Sequence, residues 1–184
     1  MTSCVVYYPQ TTDIPLINKK KDIRLDGGIS SMVSANATVS YGLTNNIAIQ
    51  AYGDVLHGYY FHGAIGYYKD LGNRKVVELY NGFGYGYGNA YNDANPGHLY
   101  LDYQLDLTRF NYGKVDCQFA NMDFGFGLKI GYLHSSMPDK NYYAFYSENG
   151  PFITYNDNSL LLEPKVFIRL GGERLKFNLK VGSS

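Results

Sequence analysis

The feature that most constrains this chain is a two-residue alternation of side-chain character that recurs along most of its length. In the segment 82–88, glycine at every even position alternates with phenylalanine or tyrosine; in 99–107, leucine or tyrosine at every odd position alternates with mostly polar residues. Successive side chains point to opposite faces only in an extended strand. The alternation therefore predicts a β-sheet with one apolar, aromatic face and one face of glycine, carboxylate and amide groups.

The composition suits a single domain and argues against a nucleic-acid partner. The chain has 184 residues, enough to bury a core without disulfide bridges, and its 16 basic residues balance its 16 acidic residues. A nucleic-acid-binding domain carries an excess of basic residues, which is missing here. No apolar run approaches the roughly 20 residues that a membrane-spanning helix needs, so any crossing of a membrane would have to use strands.

Turn-forming residues divide the chain into about eight to ten strands that follow one another as hairpins. No segment has a helical period, and glycine is too frequent for helices. The predicted fold is therefore all-β, an antiparallel up-and-down β-barrel of about eight to ten strands. The predicted turns and loops lie at 42–46, 70–73, 89–97, around 111–114 and at 171–174, and residues 142–146 are predicted to form a further strand.

The first 21 residues are predicted to form an N-terminal tether, followed by a barrel domain over residues 22–184. Two prolines interrupt regular structure in the tether, and a run of three lysines closes it. The string Met1-Thr2-Ser3-Cys4 resembles the end of a bacterial lipoprotein signal, in which small residues precede a cysteine that becomes acylated. The resemblance implies a lipid anchor at Cys4, and the apolar part of such a signal is expected upstream of residue 1.

The content of the polar face indicates which side of the barrel is apolar. Mixed charges spaced by glycine favour a narrow interior in which charges must pair, rather than a solvated exterior. Tyrosines end several strands on the opposite face, as in the aromatic girdle of a membrane barrel. Leu161 and Phe167 do not fit this orientation, because these apolar residues fall on the polar face. The charged residues of that face are Glu78, Asp102, Asp106, Lys129, Glu163, Lys165, Arg169, Lys176 and Lys180, and the tyrosines are Tyr41, Tyr67, Tyr87 and Tyr132.

Three strings resemble bacterial envelope proteins. Residues 41–49 look like the strand–turn–strand unit of small outer-membrane barrels, and residues 63–69 and 163–172 look like lipoprotein barrels of uncharacterised function. The likeness extends over most of 22–182. It implies location in the outer membrane of a Gram-negative bacterium, with membrane lipid or lipopolysaccharide, and other envelope proteins, as partners. It brings no catalytic residue with it.

No cofactor and no metal site is indicated by the sequence. The glycine string at 82–88 lacks the Lys-Ser/Thr ending and the following helix of a phosphate-binding loop. The histidines form no ligand pair on one face, and His57 and His62 are predicted to lie in solvent or at a strand edge. Cys117 is predicted to be a small strand residue.

One constellation resembles an enzyme site. Outer-membrane lipid A deacylases use a His-x-Ser on one strand and a glutamate on the next, and His134, Ser136 and Glu148 follow that order. By this resemblance Ser136 would be the nucleophile, His134 its general base and Glu148 the group that orients the imidazole. The chain departs from the family pattern at Met137, where an asparagine is expected.

The residues leave three functions open. The first is a non-enzymatic outer-membrane β-barrel lipoprotein with a structural or accessory role in the envelope, which the sequence favours over an enzyme. The second is a lipid A deacylase-like serine hydrolase. The third is a soluble, lipocalin-like barrel that binds a hydrophobic ligand, which predicts apolar side chains around the central axis.

Overall fold

A computed structural model of the chain describes residues 14–29, 35–55, 58–92, 95–117, 122–139, 153–171 and 176–182. They form a single nine-stranded sheet in which each strand pairs antiparallel with the next along the chain, so the predicted all-β, up-and-down fold is confirmed. No helix among these residues is long and apolar enough to cross a lipid bilayer. The strands are β1 Ile23–Ile29, β2 Ala35–Gly42, β3 Ile47–Val55, β4 Gly58–Asp70, β5 Lys75–Asn92, β6 Asn95–Cys117, β7 Met122–Asp139, β8 Ile153–Gly171 and β9 Lys176–Gly182.

The sheet curls into a half-barrel whose first and last strands approach each other. β1 and β9 share no backbone ladder among the described residues. Their side chains nevertheless meet on the concave side, where Lys180 Nζ and Asn178 Nδ2 donate to the Asp26 carboxylate at 2.9 Å and 2.7 Å. We call this concave side the interior.

The interior is polar and the convex face is apolar, as the alternation predicted. Leu105 and Phe126 on the convex face are 42% and 46% exposed, whereas Asp106 and Lys129 on the interior face are 1% and 2% exposed. The same alternation holds in β3, where buried positions alternate strictly with exposed ones over the first six residues. The third predicted function, which requires apolar side chains around the central axis, stays a prediction.

A register irregularity in β6 changes which residues of this strand face inward. The β6–β7 register shifts between Asp106 and Thr108, so buried positions are even up to Asp106 and odd from Arg109 onward. An extra residue in one strand of an antiparallel pair has this effect, because it reverses the alternation beyond it. Arg109 and Asn111 therefore point inward.

Two predicted connections are wrong in extent. The turn predicted around 111–114 lies within β6, which continues to Cys117, because Asn111 pairs with Glu78 of β5 and Gly127 of β7 in the ladders. The loop predicted at 89–97 is shorter, since β5 reaches Asn92 and β6 starts at Asn95. Turn-forming residue types were therefore overridden by continuous pairing on both sides.

The turns predicted at 42–46 and 70–73 are confirmed. Thr44 Oγ1 accepts hydrogen bonds from the backbone N–H groups of Asn46 and Ile47, at 3.2 Å and 2.9 Å. After β4, Gly72 has a φ of 77° and the two following residues also have positive φ. These two turns lie at the same end of the sheet, which we call the tight-turn end. The strand predicted at 142–146 lies outside the described residues.

The segment from Ile14 to Asn18 lies inside the half-barrel at the tight-turn end. Ile14 and Leu16 are buried against Val76, Val115 and Phe167, which explains why an apolar ring stands on the polar face at position 167. Ile17 is buried in a second cluster, with Ala48, Tyr68 and Tyr80. The sequence indicated neither contact. The predicted division between tether and barrel at residue 21 stays a prediction, because residues 1–13 lie outside the described part.

Candidate functional site

The middle of the interior holds a row of charged side chains at one level of the sheet. In the strand registers Tyr80 of β5 is opposite Arg109 of β6, Arg109 is opposite Lys129 of β7, and Lys129 is opposite Glu163 of β8. Directly opposite side chains have Cβ atoms roughly 4.5–5.5 Å apart. All four side chains are buried. Two cations are therefore neighbours in this row, with a single carboxylate beside them.

Two lysine ammonium groups lie close to the carboxylate of this row. Glu163 Oε2 lies 2.6 Å from Lys129 Nζ and 3.7 Å from Lys165 Nζ. The Lys129–Glu163 pair is almost completely removed from water, so its charges must compensate each other where solvent cannot. Glu163, Lys129 and Lys165 were predicted on the polar face, and their burial fits the expected narrow interior.

Arg109 is the largest fully buried side chain described in the structure, and its direct contacts include a neutral amide and an aromatic ring. Its Nη2 donates to Gln50 Oε1, and its guanidinium carbon lies 4.8 Å from the centre of the Tyr80 ring. Within the described part of the chain, Nε and Nη1 meet no acceptor. The sequence analysis missed Arg109 because the alternation places it outward until the irregularity at 106–108 is known.

A second buried polar contact joins strands that are not neighbours. His62 Nε2 of β4 lies 2.9 Å from Asp106 Oδ2 of β6, across the intervening strand β5. The other Asp106 oxygen accepts from Gln104 Nε2 at 2.8 Å, and Gln104 Oε1 accepts from the Tyr60 hydroxyl at 3.0 Å. The prediction that His62 lies in solvent or at a strand edge is wrong, because the histidine reaches this carboxylate from inside the sheet.

The glycine string in β5 makes the His62–Asp106 contact sterically feasible. A Cβ at Gly82 would lie 2.5 Å from the His62 ring, and a Cβ at Gly84 would lie 2.1 Å from the Tyr60 hydroxyl. Both rings of β4 therefore lie flat over β5, where only a residue without a side chain leaves room. The glycines that alternate with aromatics in β5 thus leave the space in which rings of β4 reach side chains of β6.

Buried polar groups hold the N-terminal segment in the interior. Glu78 Oε1 accepts from the backbone N–H of Ile17 at 2.7 Å, and Glu78 Oε2 accepts from Asn111 Nδ2 at 3.0 Å. Arg169 donates to the carbonyl oxygens of Ile14 and Pro15. Backbone groups taken from water need such partners, so these two side chains satisfy the segment where it enters the sheet.

The residues of the predicted enzyme site are only partly described. His134 and Ser136 are two residues apart in β7, opposite Asn158 and Asn156 of β8, and each is partly exposed. His134 Nδ1 lies 2.7 Å from Asn158 Oδ1, which also accepts from the Tyr132 hydroxyl at 2.7 Å. Asn158 is thus one described group that contacts the imidazole; the sequence analysis gave the orienting role to Glu148. Glu148 lies outside the described residues, so the catalytic grouping stays a prediction.

The predicted lipidation site, Cys4, also lies outside the described residues. Among the described residues, no group of three or more histidine, cysteine, aspartate or glutamate residues is arranged to hold a metal ion. No family model matches this sequence, and neither the curated proteins nor the solved structures compared with it contain a match. The assignment of function therefore depends on the geometry alone.

Proposed function

We propose that this chain is an outer-membrane-associated β-barrel lipoprotein with a structural or accessory role in the envelope, without enzymatic activity. The observation that carries the proposal is the inverted burial of the sheet, with charged side chains inside and large apolar side chains outside. Soluble monomers rarely expose contiguous apolar patches larger than a few hundred Å². Here exposed apolar residues occur on every strand. A surface of this kind is suited to contact with the hydrocarbon core of a membrane.

The charge pairing of the interior supports a role other than conduction. Lys129–Glu163 and His62–Asp106 occupy the middle of the interior, and the N-terminal segment occupies its tight-turn end. Wide channels use about sixteen strands, whereas the described residues form nine. A narrow barrel filled in this way fits an accessory or structural component, and membrane lipid or lipopolysaccharide is its expected partner.

The test of this proposal is an arginine placed on the convex face. Val166 is 57% exposed and stands near the centre of the apolar stretch Leu160–Leu170 of β8, whereas Leu71 is 50% exposed in the turn after β4. At the bilayer midplane an outward arginine costs a transmembrane barrel about 2–4 kcal/mol. We expect Val166→Arg to impair insertion into phospholipid vesicles, measured by flotation, and Leu71→Arg to insert normally.

Equal behaviour of the two variants would contradict the proposal, because a water-facing surface treats both sites alike. The lipid anchor is tested separately. The chain should be produced in a Gram-negative host behind a lipoprotein signal that ends at Cys4, and metabolic labelling with a fatty acid is then expected to mark the parent chain but not Cys4→Ser. Equal labelling of both chains would remove the anchor from the proposal while leaving the barrel in place.

One observation favours the deacylase as a second candidate. The contact with Asn158 holds the His134 ring on the face of β7 that also carries Ser136, and both residues are partly exposed. If this site acts on lipid A, Ser136→Ala abolishes release of the ester-linked fatty acid, and Ser159→Ala, a serine of the adjacent strand, does not. Absence of release by the parent chain would exclude this candidate.

A further inference from the structure

Side chains connect the first and last strands of the sheet. Because nine successive strands alternate in direction, β1 and β9 run the same way, and they share no backbone ladder among the described residues. Closing the sheet with backbone hydrogen bonds would require a parallel ladder, which is slightly less stable per residue than an antiparallel one. We call the boundary between β1 and β9 the seam. Side chains of three residues reach the carboxylate of Asp26 across it.

The Asp26 carboxylate is the point on β1 where these contacts meet. Lys180 Nζ lies 2.9 Å from its Oδ1, Asn178 Nδ2 donates to its Oδ2 at 2.7 Å, and Arg169 Nη2 lies 3.9 Å from its Oδ2. The side chains of Asp26 and Lys180 are 12% and 13% exposed, so water has little access to their contact. A hydrogen bond between charged groups is about twice as strong as a neutral one. The seam is therefore held by charge at one position of β1.

Arg169 links the seam to the N-terminal segment. Its guanidinium, which lies near Asp26, also donates to the carbonyl oxygens of Ile14 and Pro15. The guanidinium carbon lies 4.8 Å from the centre of the Phe167 ring, which belongs to the apolar cluster around Ile14. Because a guanidinium is a rigid planar group, it cannot follow one partner without changing its contacts with the others. The state of the seam and the position of residues 14–15 are therefore coupled.

We propose that Asp26 is a clasp, a carboxylate that holds the seam closed and, through Arg169, keeps the start of the N-terminal segment in the interior. Opening of the seam and release of residues 14–15 are one coupled change, because Arg169 contacts both sides. β1 keeps its ladder with β2 over seven residue pairs in that change, so the seam opens while the strand stays formed. The clasp goes beyond the proposed accessory role and does not depend on it, because its contacts lie within one chain.

The experiment measures how fast a thiol reagent modifies Ile14→Cys, a 3% exposed position, in the full chain in detergent. Cys4→Ser and Cys117→Ser remove the two native thiols, and the rate then follows the population in which residue 14 is open to solvent. Asp26→Asn keeps the size of the side chain and removes its charge. We expect it to raise the rate about tenfold or more, as the loss of a charge-assisted hydrogen bond implies. Asp70→Asn, in an exposed turn, is the matched control and should leave the rate unchanged.

A second reporter separates the clasp from a general loss of stability. Leu133→Cys replaces a 3% exposed residue of β7 that lies opposite Gln104 in the register, and Asp26→Asn should leave its rate of modification unchanged. An equal rise at both reporters would overturn the clasp, because Asp26 would then stabilise the whole sheet. No rise at Ile14→Cys would overturn it as well. If Asp26→Asn fails to fold, Lys180→Gln replaces it and is interpreted in the same way, since Asn178 still holds the carboxylate.

Discussion

The tight-turn end and the middle of the interior are filled by different means. At the tight-turn end a segment of the chain itself, Ile14–Asn18, lies inside the sheet and packs against apolar side chains. In the middle, no chain segment is described, and polar and charged side chains contact one another there, between adjacent strands in Lys129–Glu163 and across β5 in His62–Asp106. One region is stabilised by apolar packing and the other by charge compensation.

A polar face can include apolar positions where a segment of the chain covers them. Val76, Val115 and Phe167 lie on the interior face, where alternation alone would call for polar residues, because the N-terminal segment covers them there. Away from that segment the interior returns to residues such as Gln104, Asp106 and Lys129. The chemical character of an interior position is therefore set by what fills the space opposite it. Substitutions in the two regions should therefore destabilise the protein for different physical reasons.

The largest effect is expected where a charge is left without its partner. Glu163→Ala removes the carboxylate that lies 2.6 Å from the buried Lys129 ammonium. Breaking a buried pair on one side costs about 3–5 kcal/mol, because the remaining charge is uncompensated. We expect this loss in the free energy of unfolding, measured by urea titration of the protein in detergent.

The double variant Glu163→Leu/Lys129→Met distinguishes loss of charge compensation from loss of packing. Replacing both charges with apolar residues of similar volume is often neutral or stabilising, so most of the lost free energy should return. The control is Asp22→Asn, which breaks a partly exposed ion pair with Arg24 and should cost less than about 1 kcal/mol. A double variant as unstable as Glu163→Ala would mean that the middle region depends on packing rather than on charge.

The next largest effect is expected at the tight-turn end. Leu16→Ala truncates a side chain that is 1% exposed and lies among Val76, Val115 and Phe167. Truncations of this kind cost about 2–5 kcal/mol, depending on how far the surroundings collapse. The same titration should show that loss. Leu43→Ala, in the exposed turn after β2, should change the free energy of unfolding by less than about 0.5 kcal/mol.

Similar stabilities for Leu16→Ala and Leu43→Ala would contradict the packing described for the N-terminal segment. That result would mean that residues 14–18 lie outside the sheet in solution. It would also remove the explanation for Phe167 on the interior face, since the ring would then have no described apolar partner from the N-terminal segment. The charge pairs of the middle region would be unaffected by this outcome.

Alternation predicted the two faces of the sheet but not the contacts that cross it. Asp106, Lys129 and Glu163 were assigned to the polar face from their spacing, because period two survives in any strand regardless of its neighbours. Arg109 and Asn111 were missed, since one irregularity in β6 reverses the alternation beyond it. His62 was misplaced because its partner Asp106 lies two strands away, and only the register shows that a glycine stands between them. Contacts that depend on register or on a segment folding back leave no local pattern in the sequence.

The smallest loss of stability is expected at two interior glycines of β7. One of them lies toward the tight-turn end and the other in the middle of the interior. A Cβ at Gly127 would lie 2.8 Å from Ile14 Cδ1 and 2.7 Å from Asn111 Oδ1, whereas a Cβ at Gly131 would meet nothing closer than 3.4 Å. Gly127→Ala should therefore displace the N-terminal segment at a cost of about 1–3 kcal/mol, the range for overpacking a filled core. Gly131→Ala should be neutral or slightly stabilising, because alanine restricts the unfolded chain more than glycine does. Urea titration of the two variants measures the difference, and a larger loss for Gly131→Ala would show that the tight packing lies in the middle of the interior instead of at the tight-turn end.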